Sequence, residues 1–251
     1  MSFKRVLQPL AAFCFLSFCV DASAQVVISQ AYGGGGNGGS TYKNDFIELF
    51  NNSATAVSLD GWAIQYHSAG GSGNWTNKTN LPNVTLQPGQ YYLIQQAAGA
   101  GGTADLPAPD LLGTIAMGGS GFKIALTNTT TSLSGACPSG AMIVDFLGAA
   151  KVHDHEGMAS APAPSNSNSV QRKLNGCQDT NSNTDDFIAA VAYPNARNSL
   201  TALNPCVVSG GAPGVDTTTP ADNATGVLVN SNITIEFTES VAFSNASFQL
   251  R

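Results

Sequence analysis

Potential metal ligands stand in a row at His153, Asp154, His155 and Glu156. Neighbours on an extended segment point to opposite sides. His153 with His155, or Asp154 with Glu156, could therefore share an ion, whereas all of them together need a tight loop. His67 lies far upstream, and two ligands from one loop make a weak site beside the plainer expectation of a solvated loop. The run DTNSNTD at 179–185 sets Asp179, Asn181, Asn183 and Asp185 at alternate positions, as a calcium loop does. It departs from the EF-hand rule at Thr184, where Gly makes the sharp turn, and at Ala190, where a bidentate Glu belongs. An Asx-rich turn leading into Asp186 and Phe187 uses the same residues without an ion. No cofactor is expected, with structural calcium as the alternative.

Asp45 and Glu48 are the most tempting carboxylate pair. Three apart on one strand, they face opposite sides and cannot act jointly as acid and base on one bond. They are expected to cap backbone groups or to pair with Lys43 or Arg172. Trp75 sits in a Gly, Ser, Asn and Thr loop. Its indole is either a ligand-contact platform for sugar rings or, the favoured expectation, a lid folded onto the core. The glycines at 33–36 and 38–39 invite a phosphate site, but no Gly-Lys-Ser/Thr follows and the next element is a strand, so a flexible connection is expected.

The elements that carry these residues are strands. VVISQAY (26–32) reads as the first. In 43–66, Ile47 and Leu49 alternate with Phe46, Glu48 and Phe50, and after a polar turn Trp62, Ile64 and Tyr66 alternate with Ala63 and Gln65, which predicts a hairpin. Pro88-Gly89 predicts a turn delivering a strand at 91–95. Phe122, Ile124 and Leu126 mark another, and 128–134 a surface turn. MIVDFLG (142–148), apolar on both faces, predicts a central strand between two sheets.

The chain has 251 residues, of which only 10% are charged and 27 are Gly, the composition of a turn-rich exported β protein. Residues 1–24 combine Lys4 and Arg5, an apolar run and Ala22-Ser23-Ala24, the order of a secretory signal peptide cleaved before Gln25. Phe18 argues against a lipoprotein at Cys19, and the apolar run is too short to span a bilayer. Removing Lys4, Arg5 and Asp21 from 10 basic and 16 acidic residues leaves 8 against 15. That balance disfavours nucleic-acid binding by this chain alone. Residues 207–219 read as a Ser, Gly, Pro and Thr linker.

DFIELFN, a loop, then LDGWAIQY, the Pro-Gly turn before an aromatic strand, VDFLG, SVQR (169–172), DTN, DDF and PNARN (194–198) together resemble the lamin-tail domain, an immunoglobulin-like β-sandwich. The resemblance covers 25–206 and is nearest to lamin-tail regions preceding secreted bacterial endonuclease/exonuclease/phosphatase-family nucleases. Residues 220–251 resemble the start of a bacterial immunoglobulin-like domain, an incomplete second sandwich. Such nuclease relatives commonly carry a cysteine where this chain has Asp154. Cys137, Cys177 and Cys206 follow the leader, an odd count. Cys177 with Cys206 is the pairing expected, Cys137 being stranded by the change at 154, with Cys137–Cys177 as the alternative.

The motifs of a nuclease active site are absent from these residues, as is a nucleophile elbow. The resemblance implies a secreted, non-catalytic accessory region whose catalytic domain lies outside this chain. The alternative is a stand-alone adhesion module binding glycan or protein through Trp75, the Gly-rich loops or an open sheet edge.

Overall fold

The computed structural model describes residues 25–150, 152, 154–206, 215–221, 224–228 and 231–237. The expected leader and His153 lie outside the described residues. In chain order the strands are β1 (Val26–Tyr32), β2 (Asn44–Asn51), β3 (Val57–Ser58), β4 (Ala63–Ser68), β5 (Asn77–Asn80) and β6 (Thr85–Leu86). There follow β7 (Tyr91–Ala98), β8 (Leu111–Leu112), β9 (Phe122–Thr127), β10 (Ile143–Ala149) and β11 (Asn168–Arg172). A 3-10 turn (Leu174–Gly176) and the single turn α1 (Asn183–Asp186) then lead into β12 (Phe187–Val191).

These strands form an immunoglobulin-like sandwich. One sheet has the order β12-β11-β1-β2-β7-β8 and the other β10-β9-β4-β5, with β3 and β6 as a small separate pair. Ile28, Ile47, Leu49 and Ile94 from the first sheet meet Ile64, Ile124, Leu126 and Leu147 from the second in the main core. The expected hairpin at 43–66 is corrected: β2 pairs with β1 and β7, whereas β4 pairs with β5 and β9 in the opposite sheet. Alternation fixes which face of a strand is buried but not which strand lies beside it. The turn does its work through Asn51, whose side chain donates to Thr55 O and Leu86 O and accepts from Ser53 N–H.

Both sheets are covered on their outer faces too, which is why β2 is buried along nearly its whole length. Phe46 packs outward with Tyr32, Tyr42, Leu93, Ala192 and Ala196, and Phe50 with Val27, Tyr91 and the two half-cystines. The strap formed by 192–206 thus lies across the six-stranded sheet. Gly89 shows the fit: its φ is +74°, and a Cβ there would stand 2.4 Å from the backbone of Asn204.

Three further expectations are corrected. The run at 33–36 is buried and packed rather than a loose connection, since a Cβ on Gly35 would meet the Asn44 carbonyl carbon at 2.0 Å. β10 is not central but the edge of its sheet; its apolar faces are covered by the main core and by Trp75. The last five residues of the expected linker are the strand β13 (Val215–Thr219), which pairs antiparallel with β14 (Thr234–Phe237).

Candidate functional site

The densest cluster of ionisable groups surrounds Arg172, at the end of β11. Its Nη2 donates to both oxygens of Asp145, at 2.8 and 2.9 Å, and its Nη1 to Asp179 at 3.1 Å, while Nε donates to Ile28 O. Asp186 stands 3.4 Å from Nη1. Burial works against the guanidinium charge, but Asp145, Asp179 and Asp186 outweigh it and hold the pKa above its ordinary value. Asp145 also accepts from Ile28 N–H at 2.6 Å, so one carboxylate ties β10 to β1 and β11 and joins the sheets. The expected partnership of Arg172 with Asp45 or Glu48 is therefore corrected.

The proposed calcium ligands do not converge. Asp179 faces Arg172, and Asp185 accepts from the Ser182 hydroxyl in an exposed position. Asn181 takes a left-handed φ of +53°. Asn183 is buried and turned the other way, donating to Phe146 O at 2.8 Å and accepting from Gly148 N–H at 2.7 Å. Among the described residues no group of three or more His, Cys, Asp or Glu is placed to hold a metal. The guanidinium occupies the position among the carboxylates that an ion would take. Glu156 completes this corner by accepting from Phe146 N–H at 3.1 Å; burial and the nearby Asp145 push its carboxyl up to about 9.

Glu48 finds its cation 149 residues away, in the strap. Arg197 Nη2 donates to Glu48 Oε1 at 2.7 Å, Arg197 N–H to Oε2 at 2.7 Å, and Arg197 Nη1 to the Tyr91 hydroxyl at 2.9 Å. Burial raises the Glu48 pKa despite Arg197, so the pair holds a buried charge in place rather than exposing a base. Lys43 pairs instead with Asp105. Asp45 accepts from Gly35 N–H and Met117 N–H, the capping role expected of it, and burial pushes it up to about 6. Cys177 and Cys206 form the disulfide that ends the strap, with the Cα atoms 5.4 Å apart.

On the outer face of the four-stranded sheet, Lys123 is buried and donates to Asp154 at 2.6 Å and to Gly71 O and Ala136 O. Trp75 is fully buried against Ala125, Leu133 and Phe146, and its Nε1 donates to Gly135 O. Its candidacy as a ligand platform is corrected: the indole is a lid over the sheet, with no face left to solvent. Leu133 is likewise buried within what reads as a surface turn. Cys137 is free and exposed, and its thiol is pushed up by partial burial and by its hydrogen bond to Asp154. Asp154 thus faces Cys137. A cleft of about 310 Å³ beside it is lined by Cys137, Ser139, Phe146, His155 and Glu156, and His155 Nδ1 has no hydrogen-bond partner among the described residues.

Sequence families match this architecture. Residues 20–141 match the Lamin Tail Domain and residues 210–250 the Bacterial Ig-like domain. The chain thus carries a lamin tail domain followed by bacterial Ig-like sequence, and β10, β11 and β12 extend the sandwich past the matched span. The crystal structure of a DUF4876 family protein from Bacteroides thetaiotaomicron VPI-5482 is similar at 14% identity, with a TM-score of 0.48, over 74% of this chain and 75% of that one. No curated protein matches the chain. The disulfide fits an oxidising, extracellular setting, and no helix among the described residues is long and apolar enough to cross a membrane.

Proposed function

We propose that this chain is a secreted, non-catalytic mount, the accessory region of an extracellular nuclease-like protein, which holds the domains that follow it. The observation that supports a mounting role is the anchoring of the strap. Its Arg197 is locked to Glu48 in β2, Asn204 N–H donates to Gly89 O, and Cys206 is bonded to Cys177 where the chain leaves the sandwich. A covalent tie at an exit point restricts what is attached there, as a flexible tether does not. The acids a catalyst would need are engaged in holding the fold: Asp45 caps two loops, Glu48 holds the strap, and Asp145 joins the sheets. β13 and β14 pair with each other and, among the described residues, leave Val215 and Ile235 exposed, as a two-stranded ribbon without a packed partner sheet does.

The purified chain through Arg251, incubated with duplex DNA and either Mg2+ or Ca2+, is expected to leave the DNA intact. Hydrolysis that co-purifies with the folded chain would place a catalytic site within it and overturn the proposal.

A further inference from the structure

The free edges of the two sheets are treated unequally. On β10 the outward Phe146 N–H is capped by Glu156, and Gly148 N–H and Phe146 O by Asn183. β8 is two residues long, and β5 carries Lys78. Short strands, lysines and covered backbone are the usual protections against edge-to-edge pairing. β12 has neither the short length nor a lysine and is covered only at its two ends: Phe187-Ile188-Ala189-Ala190-Val191 is five residues without a charge, and Ile188 and Val191 are 45% and 58% exposed.

The register gives the direction of each backbone group on that edge. Lys173 N–H donates to Asp186 O and Ala192 N–H to Ser167 O, which makes Arg172–Phe187 and Asn168–Val191 non-hydrogen-bonded pairs of the β11–β12 ladder. Phe187, Ala189 and Val191 therefore point their N–H and C=O away from β11. Two of these outward groups are already used: Phe187 N–H donates to Asn183 O, and Val191 O accepts from Gln171 and Asn195. Among the described residues Ala189 N–H, Ala189 C=O, Val191 N–H and Phe187 C=O are left.

We infer that β12 is the interface of a homodimer, formed by antiparallel pairing of β12 with β12 of a second copy about a twofold axis at Ala189. In that register Ala189 faces Ala189 of the partner and exchanges both backbone bonds, and Val191 N–H meets Phe187 C=O in both directions. Each remaining donor finds a remaining acceptor, and the groups that would be redundant are the ones already satisfied. The side chains agree. Exposed Ile188 of each copy lies opposite the small Ala190 of the other, and no like charges meet within the strand. A second copy is thus self-complementary to this edge, which an arbitrary peptide is not. The ladder is short, so the dimer is weak and forms on a concentration scale of roughly tens to hundreds of micromolar.

Sedimentation equilibrium of the full chain tests it. The weight-average mass should climb toward twice the monomer value with concentration. Ala189→Pro removes an outward N–H without touching the β11 ladder and should abolish the rise while leaving the melting temperature unchanged. Ile188→Lys, at an exposed position, should do the same through charge should the proline variant misfold. Amide exchange at Ala189 and Val191 should slow as concentration rises. A mass independent of concentration, association that survives both substitutions, or protection of those amides at every concentration, as a strand from the same chain would give, overturns the dimer.

Discussion

Glu156 accepts a hydrogen bond from Phe146 N–H within the field of Asp145 and Asp179, and burial followed by those charges pushes its carboxyl up to about 9. In the unfolded chain a Glu titrates near about 4.3. A group whose folded pKa is raised contributes stability that is fully present below the unfolded value and is lost as pH rises through the folded one. This residue alone therefore makes the fold less stable from about pH 4 toward about pH 9. Asp45, pushed up to about 6 by burial, acts in the same direction over a lower window, from its unfolded value near 4 to about 6. Glu156→Gln keeps an acceptor for Phe146 N–H and has no proton to lose. It should be more stable than the parent at pH 8 by at least ~1 kcal/mol, with little difference at pH 4, since one pKa unit corresponds to about 1.4 kcal/mol. Urea unfolding at the two pH values measures this, and equal stability of variant and parent at pH 8 would show that Glu156 is ionised in the fold.

At the scale of elements, the strap across the six-stranded sheet accounts for most of the difference between sequence and structure. The β1 strand and the Pro88-Gly89 turn are legible because each is local, whereas the Cys177–Cys206 bridge is the pairing the family resemblance favours over Cys137–Cys177, which the sequence alone leaves open. Phe46, Glu48 and Phe50 form the outer face of β2, and nothing near them in sequence says that residues 192–206 will cover that face. Arg197 meets Glu48 from 149 residues away, and Arg172 gathers acids from β10, the 179–185 loop and α1. The spacing of Asp179, Asn181, Asn183 and Asp185 is real, but α1 turns Asn183 toward the edge of β10 and away from Asp179. The disulfide closes a separation of 29 residues, and the chain entropy it removes is worth ~3–4 kcal/mol. Cys206→Ser should lower unfolding stability by that amount while leaving the sandwich folded; a loss under ~1 kcal/mol would mean that Arg197 and the packing of Phe50 hold the strap unaided.

At the scale of the whole molecule, the chain reads as a covered sandwich whose ionisable interior is spent on joining sheets and fastening its own C-terminal strap, followed by bacterial Ig-like sequence. The mount proposed above has value through what it carries. The intact mass of the native secreted product, taken together with its N-terminal residue, tests that most directly. A product that begins at Gln25 and is much heavier than the 25.7 kDa of this chain, with a DNA-hydrolysing domain after the second sandwich, is the result predicted. A native product that ends at Arg251 would contradict it, and the lamin tail domain with its β12 edge would then have to be the whole of the function.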